Sequence, residues 1–534
     1  MTPTALVPPP DVLQGSALFL AAHASATYDL AQEPWIPVMY RDGTRANIGA
    51  RDLFTASHTI LDITESDPLV RAALRRYLTA LTARLVLLPG SPDKFAWLSR
   101  LDASTGFTSD EVEALITDQR EHLWLFHPRT PFMQDGRFLQ PARKFDSNWE
   151  TNSDELLTPL PGSTSRAWAF KPGDLGVDSG LTWDRAARAV VARWYYGLLG
   201  RGGGGDMGGA FPNGNSDAPL THAFRVDPAG LFGTLLRNIA KFVIESPRSP
   251  MTGLAWADPR HPSTGGDGLY RYSTTATACL LGPVASDARI HQALRGSIDD
   301  PAGSKETRKV AKQAAREDDP HRIRRTLDAK GKPRSDVRLS AFEPPLRRLA
   351  VLRRGIIEAG NVSATGVVRE NDLWLSDATR RRDETLELTL ANLAGSATSP
   401  QWAAAATVAL PAAHLDPEWS RSIDLDALID IGFGERGVYP TIRYAITSVF
   451  RGQEDPKKSM VGAPLAAAAH RRWLAAAETI TAEALSGTRS LEEAEAALWK
   501  VGRDAVSAVL APYASTTRYA GGVVQAVAAV RSRT

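Results

Sequence analysis

The stretch 463-APLAAAAHRRWLAAAETITAEAL-485 repeats apolar residues at helical spacing, with Pro464 near its start and Gly487 just beyond its end. Proline is tolerated in the first turn of a helix, and glycine is favoured directly after the last turn. The stretch therefore predicts a long helix. Such a helix must bury its apolar face against other elements, which makes this part of the chain decisive for the fold.

Three neighbouring segments show the same helical periodicity and are rich in alanine and leucine. They are 386-LELTLANLAGSATSPQWAAAATVAL-410, 438-VYPTIRYAITSVF-450 and 491-LEEAEAALWKVGRDAVSAVL-510. Four helices joined by short connections bury their apolar faces against one another as a bundle. We therefore expect residues 383–534 to form an all-α C-terminal four-helix bundle.

Residues 28–382 mix strand and helix patterns and predict one large mixed α/β domain, so the fold class of the chain is α+β. The stretch 28-YDLAQEPWIPVMYRDGTRANIGARDLF-54 predicts a β-hairpin that turns at Asp42-Gly43. Residues 1–27 are expected to be an N-terminal extension, and they lack the positively charged start of a signal peptide. Helical patterns cover Pro68 to Leu88, Ser109 to His122 and Trp183 to Leu199.

The composition of the 534 residues narrows the class of protein. The single cysteine, Cys279, excludes disulfides within the chain and zinc sites built from clustered cysteines. The ten histidines are scattered, so we expect no bound metal. No apolar run reaches the roughly 18 to 20 residues that a membrane span needs. We therefore expect a cytoplasmic protein that does not enter the membrane.

The charge is concentrated locally although the net charge is only +2. Residues 305–338 hold twice as many basic as acidic side chains, and Arg380-Arg381-Arg382 follow downstream. Such a run is either a solvated face or a surface that contacts nucleic-acid phosphates. The sequence pattern leaves both interpretations open.

A glycine tract lies in 197-GLLGRGGGGDMGGAFPNGN-215. It satisfies G-x-G-x-x-G trivially, but the dinucleotide fingerprint must follow a strand and open a helix. Here a predicted helix precedes the tract, and AFPNGN after it does not begin a helix. No Walker A motif, nucleophile elbow or other catalytic constellation occurs. We therefore expect no catalytic residue and no cofactor.

Two motifs and the order of the segments carry a resemblance to a known family. The motifs are 33-EPWIPV-38 and 125-LFHPRTPFMQ-134, and after them come a Pro/Gly-rich loop, the glycine tract, an arginine-rich segment and a helical end with 508-AVLAPYA-514. This arrangement resembles the CasA family, the large subunits of the type I-E CRISPR surveillance complex Cascade. The resemblance covers nearly the whole chain apart from the N-terminal extension.

The resemblance implies a DNA-recognition subunit that is not an enzyme. Such subunits recognise a short motif beside the target, the PAM, in double-stranded DNA from the minor groove. They promote strand separation and R-loop formation by the guide RNA (crRNA), and they recruit the helicase-nuclease. The implied partners are the guide RNA, the double-stranded target DNA, the helicase-nuclease, and the backbone, handle-binding and small subunits of Cascade.

The resemblance also implies the residues that would contact nucleic acid. The family's glycine loop matches Gly200, Arg201, Gly202, Gly203 and Gly204, with Arg201 where an aromatic residue is common. The basic residue that enters the minor groove precedes a Pro-His motif, here Pro320-His321. Its candidates are Arg308 and Lys309, with Lys305 as a further one.

Two more segments complete the implied site. The wedge that opens the duplex matches Asn361, Val362, Ser363 and Ala364, with Ser363 where the family has glutamine. The loop that contacts the guide RNA and neighbouring subunits matches Trp168, Ala169, Phe170 and Lys171. An ordinary hairpin turn is the alternative for the wedge, and aromatic side chains that anchor the loop to its own domain are the alternative for the guide contact.

Two other functions compete with this interpretation. A nucleic-acid-binding scaffold that is indifferent to the PAM would show binding that depends steeply on salt and little on sequence. An enzyme that uses the glycine tract for a nucleotide would bind that nucleotide as an isolated chain.

Overall fold

The computed structural model of the chain describes a mixed α/β part and a helical part, which form two compact units. The first unit contains the described residues up to Pro411, and the second contains those from Leu425 onwards. The described residues are 14–134, 150–152, 180–196, 221–241, 244, 278–282, 288–296, 321, 374–375, 385–396, 399–411, 425–434, 436–450, 461–485 and 487–531.

The predicted hairpin near the N-terminus is confirmed. Strands β1 (Ile36–Tyr40) and β2 (Arg45–Ile48) pair antiparallel, and β3 (Ile60–Ile63) adds to the other edge of β1. Gly43 has a φ of +86°, a conformation that glycine adopts without strain. The Asp42 carboxylate accepts a hydrogen bond of 2.8 Å from the Thr44 amide and closes the turn.

Five helices accompany this sheet in the first part of the chain. The longest of them runs through the hydrophobic core, because residues such as Ala73, Tyr77 and Leu81 on it are buried. The predicted helices over 68–88 and 109–122 are confirmed, the second one ending in a single 3-10 turn over Arg120–His122. The helices are α1 (Gln14–Ser25), α2 (Ala50–Thr55), α3 (Pro68–Val86), α4 (Lys94–Ala103) and α5 (Ser109–Gln119).

Two further antiparallel sheets complete the N-terminal unit, with strand orders β4-β7-β6 and β5-β8-β9. The helix predicted over 183–199 is observed as α6 (Trp183–Tyr196), and α7 (Leu231–Arg237) follows β5. The strands are β4 (Glu150–Asn152), β5 (Thr221–Val226), β6 (Ala278–Leu281), β7 (Gln292–Gly296), β8 (Thr385–Ser396) and β9 (Ser399–Pro411).

The prediction of a helix over 386–410 is wrong. Strands β8 and β9 form a hairpin there, with a register shift between Ala394 and Gly395. Leu386, Leu388 and Leu390 alternate with polar residues, which is the period of a strand, while the alanines of β9 also suit a helix. Because both strands belong to the N-terminal unit, the boundary between the units follows Pro411 and does not lie at residues 382–383.

The expected N-terminal extension over 1–27 contains a helix that joins the core. Phe19, Ala22 and His23 on α1 are buried. The His23 ring lies edge-on to Phe126, with ring centroids 5.4 Å apart. Within the described residues, the N-terminal unit therefore begins at α1 rather than at Tyr28.

The C-terminal unit is helical, as predicted. Trp473 is fully buried in it and donates its indole N–H to the carbonyl of Leu498 at 3.1 Å. The described residues hold five helices here, so the expected four-helix bundle is not confirmed. The helices are α8 (Leu425–Phe433), α9 (Val438–Val449), α10 (Gly462–Leu485), α11 (Leu491–Ala514) and α12 (Ala520–Ala529).

Candidate nucleic-acid interface

All the residues that the sequence nominates for nucleic-acid contact lie outside the described residues. The structure instead describes the elements that flank those segments. The nominated groups are Gly200, Arg201, Gly202, Gly203 and Gly204; Lys305, Arg308 and Lys309; Asn361, Val362, Ser363 and Ala364; and Trp168, Ala169, Phe170 and Lys171.

The helix that leads into the glycine tract is anchored on its buried side. Arg188 of α6 forms ion pairs of 3.0 Å with Glu65 and with Asp184, and it donates a hydrogen bond of 2.7 Å to the carbonyl of Trp35. Tyr195 lies in the last turn of α6. The guanidinium of Arg76, on α3, lies over its ring at 4.7 Å from the ring centre. The chain therefore enters the tract from a fixed helix.

The chain leaves the tract into β5, which turns directly into α7. We call residues 221–240 the β5–α7 frame. A buried network of polar side chains holds its turn: Arg237 donates to the Asp227 carboxylate at 2.6 Å, and the Asp227 amide donates to the Thr234 hydroxyl at 2.9 Å. The Asn238 side chain bonds both backbone groups of Arg225. Buried polar groups that are fully hydrogen-bonded give a rigid unit.

We call residues 305–321, the first part of the basic run, the basic segment, and its last residue is bound to this frame. His321 is fully buried and stacks on Phe224 of β5, with ring centroids 4.6 Å apart and an interplanar angle of 24°. The Ala223 amide donates a hydrogen bond of 2.9 Å to the His321 carbonyl. His321 follows Lys309 by 12 residues (321 − 309). The Pro-His motif therefore serves as an attachment point for the segment that carries the nominated cations.

The wedge segment is bound to the same frame. The Trp374 amide donates a hydrogen bond of 3.2 Å to the carbonyl of Ile239, just after α7. Trp374 and Leu375 are both buried, and they end the stretch 361–375 that holds the nominated wedge. The downstream ends of the glycine tract, the basic segment and the wedge segment thus all meet within residues 221–240.

A charge cluster centred on the buried side chains of Arg75 and Glu387 connects helix α3 to the β5-β8-β9 sheet. The Arg75 guanidinium donates to both oxygens of Asp62 at 2.8 and 3.0 Å, and it lies 2.6 Å from the Glu387 carboxylate of β8. Arg71 forms a second ion pair with Glu387 at 3.3 Å. Burial lowers the pKa of Arg75, but the carboxylates of Asp62 and Glu387 outweigh it and hold this pKa above its usual value.

The described residues on either side of the segment nominated for guide-RNA contact lie close together. Its flanks, Asn152 and Leu181, pair with Gln292 and Ile290 respectively, two residues apart in the chain at β7. Gly180 has a φ of +50°, and a Cβ there would lie 2.6 Å from the His291 ring, so glycine suits this position. Asn152 and Leu181, which flank residues 153–179, therefore lie at neighbouring positions beside β7.

The motif 125-LFHPRTPFMQ-134 is part of the core rather than an exposed surface. Phe126 and Phe132 are buried, and the Gln134 side chain bridges the Leu125 carbonyl and the Leu281 amide at 2.6 and 2.8 Å. The Nε2 of His23 lies 3.1 Å from the Leu281 carbonyl, and its Nδ1 accepts from the His127 amide at 3.3 Å. Burial lowers the pKa of His23 to about 4, so this histidine is neutral near neutral pH.

Two general properties bear on the chemistry of the molecule. Across the part of the chain that the structure describes, no three His, Cys, Asp or Glu side chains come together as a metal site. None of the helices described above combines the length and the apolar character needed to cross a membrane.

The fold defines the structural class as an α+β protein in which a mixed α/β unit precedes a helical unit. Within this class, the family model described as CRISPR-associated protein Cse1 matches residues 29–280. Over these residues the chain is therefore similar to the CasA/Cse1 family, as the motifs at 33–38 and 125–134 predict.

A curated relative shows the same similarity. The CRISPR-associated protein CasA/Cse1 of Thermus thermophilus is 28% identical over 272 residues, which are 47% of this chain and 49% of that protein. The match thus spans about half the length of that curated relative.

Solved structures extend the likeness over almost the whole chain. The crystal structure of Thermobifida fusca Cse1 has a TM-score of 0.66 at 17% identity and covers 95% of this chain and 97% of that one. A chain in a structure described as a CRISPR RNA-guided surveillance complex has a TM-score of 0.64 at 20% identity, covering 95% and 100%. At these identities the structures establish a shared fold.

Proposed function

We propose that the chain is the PAM-recognising large subunit of a type I-E Cascade surveillance complex. The similarity of residues 29–280 to the Cse1 family model supports this, as does the likeness of the fold to a chain in a CRISPR RNA-guided surveillance complex. The observation that carries the proposal is the β5–α7 frame, where the downstream ends of three nominated segments are bound. Segments rooted on one rigid support can act together on a single short stretch of duplex.

The nominated residues divide the work of recognition and opening. Residues 200–204 bring bare main chain towards base edges in the minor groove, which is only about 6 Å wide. Arg308 and Lys309 supply positive charge for the groove or the phosphates. Residues 361–364 enter beside a base step and unstack it. The guide RNA then pairs with the freed strand and provides most of the sequence specificity.

The remaining nominated residues would contact the other components of the complex. Trp168 and Phe170 would stack on bases of the guide RNA, and Lys171 would pair with a phosphate. The partners are the guide RNA, the target duplex, the backbone, handle-binding and small subunits, and the helicase-nuclease that this subunit recruits. In this proposal the chain acts in the cytoplasm, in antiviral defence, and contributes no chemistry of its own.

A gel-shift titration tests the proposal. Guide-loaded Cascade is reconstituted with and without the chain and titrated with duplex DNA at fixed salt, using a library with a randomised PAM. We expect the chain to confer preference for a subset of the library. Binding that is equal across the library and falls steeply with salt would favour a PAM-indifferent scaffold instead.

The structure also bears on the nucleotide-binding alternative. A dinucleotide loop runs from a strand into a helix, so that the helix N-terminus faces the phosphates. The glycine tract here runs the other way, from helix α6 into strand β5. Its order therefore disfavours that alternative, and nucleotide binding by the isolated chain is the result that would restore it.

A further inference from the structure

The charge cluster around Glu387 has an unusual composition for a protein interior. It holds two guanidinium groups, Arg71 and Arg75, and two carboxylates, Asp62 and Glu387, so its formal charge is balanced. The Arg75 side chain is only 1% exposed and that of Glu387 only 10%. Apolar side chains of the same volume often stabilise a fold as well as such a cluster does. The cluster is therefore only weak evidence for a purely stabilising role.

The cluster fixes the position of strand β8 relative to helix α3. The Arg75 guanidinium is held between two carboxylates: its Nη2 donates to both oxygens of Asp62, and its Nη1 lies 2.6 Å from Glu387. Glu387 receives both arginines, which lie one helical turn apart on α3. Two fixed contacts on one carboxylate hold β8 at a single position along α3.

Backbone pairing between β8 and β5 connects the charge cluster to the β5–α7 frame. Glu387 of β8 lies directly opposite Phe224 of β5 in the antiparallel register. Phe224 is the residue on which His321 stacks. A path of direct contacts therefore runs from α3 through Glu387 and Phe224 to the end of the basic segment.

We propose that Glu387, held by Arg71 and Arg75, is a positioning residue for duplex opening. It fixes the position of the β5–α7 frame, so that the glycine tract, the basic segment and the wedge contact the same base pairs. The inference rests on the proposed function and deepens it, since it names a group that acts on the site without touching DNA.

The test is Glu387→Gln in the full chain, assembled into the guide-loaded complex. Two probes are compared: a PAM-containing duplex, and the same DNA with a pre-opened bubble over the target. We expect duplex opening, followed by permanganate reactivity of unpaired thymines, to slow by about tenfold. Binding of the bubble should stay near the wild-type value, because no opening is required.

The matched control is Asp118→Asn. Asp118 forms an ion pair with Arg84, which is also on α3. Asp118 itself lies on helix α5, whereas Glu387 lies on the sheet that carries the frame. This variant should open the duplex at the wild-type rate. If Glu387→Gln does not assemble, Arg71→Leu removes one partner of the carboxylate and serves as the second test variant.

The outcomes separate the two proposals. Absence of PAM-dependent opening by the wild-type complex would contradict the proposed function itself. Wild-type opening by Glu387→Gln, in a complex whose wild type is PAM-dependent, overturns the positioning role. So does equal loss of duplex and bubble binding, because that pattern reports general structural damage.

Discussion

His321 is stacked on Phe224, with both residues fully buried and their ring centroids 4.6 Å apart. Phe224 lies on the strand that leaves the glycine tract, and His321 ends the segment that carries Arg308 and Lys309. The contact therefore joins two segments that are far apart in sequence and that we propose to act on the same DNA.

Replacing His321 with alanine tests this connection. The change removes the stacked ring and leaves a cavity, so it should lower the free energy of unfolding by about 2 kcal/mol. With its anchor loosened, the basic segment should lose about one phosphate contact. The slope of log K against log salt should then become shallower by about 1. Gel shifts at several salt concentrations measure that slope.

The C-terminal unit supplies a control for this variant. His470 stacks on Tyr439 there, with centroids 3.7 Å apart and an interplanar angle of 10°. His470→Ala should cost similar stability but leave the salt dependence of DNA binding unchanged. An unchanged slope in His321→Ala, at full occupancy of the complex, would argue against the attachment of the basic segment to the frame.

A second prediction concerns the glycine tract. Gly202→Val or Gly203→Val should abolish the difference in affinity between PAM-containing and scrambled duplexes, because a branched side chain prevents close approach to the groove floor. The free energy of unfolding should stay within about 0.5 kcal/mol of wild type, because the proposal has these glycines face DNA and not the hydrophobic core. Titrations of both duplexes and a urea melt measure the two quantities.

Gly521→Val is the matched control for the tract. Gly521 lies on α12, and a Cβ at this position meets no atom within 4 Å. This variant should discriminate between the duplexes as wild type does. Folded tract variants that also keep full discrimination would move PAM recognition to another segment.

A third prediction concerns the nominated wedge. Ser363→Gly should reduce strand opening more than initial binding, because the tip loses the side chain that enters beside the base step. Permanganate reactivity of thymines next to the PAM reports the opening, and gel shifts report the binding. Ser515→Gly, at the exposed end of α11, is the control. Reactivity equal to wild type in Ser363→Gly would place the wedge elsewhere.

Local signals in the sequence predicted much of the fold. The turn at Asp42-Gly43 follows from glycine at a positive φ and an aspartate that caps its own turn. The helices over 68–86 and 462–485 follow from apolar periodicity. Each of these features depends on residues within a few positions of one another, which is why sequence patterns capture them.

The failures involve partners that are distant in sequence. The β8–β9 strands contain many alanines that suit a helix equally well, and pairing with β5 decides the matter. The contact of His321 with Phe224 and that of Glu387 with Arg75 join residues about 100 and 300 positions apart. Helical or strand periodicity carries no information about such pairs, so the frame and its anchor could not be predicted.

A fourth prediction follows from the buried histidine of α1. Burial lowers the pKa of His23 to about 4, and the hydrogen bond with the Leu281 backbone opposes this effect only in part. In the unfolded chain a histidine titrates near 6.5. Between these values the unfolded state binds more protons, so the free energy of unfolding should fall as the pH drops from about 6.5 to about 4. The loss in the free energy of unfolding that is due to His23 reaches about 3 kcal/mol at low pH. Above pH 6.5 the ring is neutral in both states, so its contribution no longer depends on pH.

His23→Gln isolates this contribution, since glutamine retains polar groups but does not titrate. Urea unfolding followed by tryptophan fluorescence would give the free energy of unfolding of both proteins at a series of pH values. The variant should differ from wild type by a constant amount above pH 6.5, and the difference should shift in favour of the variant as the pH falls. A residual slope should remain in the variant, because burial also lowers the pKa of His122 and His127. If the free energies of unfolding of wild type and variant keep a constant difference down to pH 4, His23 is not held in its buried position by Leu281 and His127. In that case α1 does not pack against the 125–134 motif.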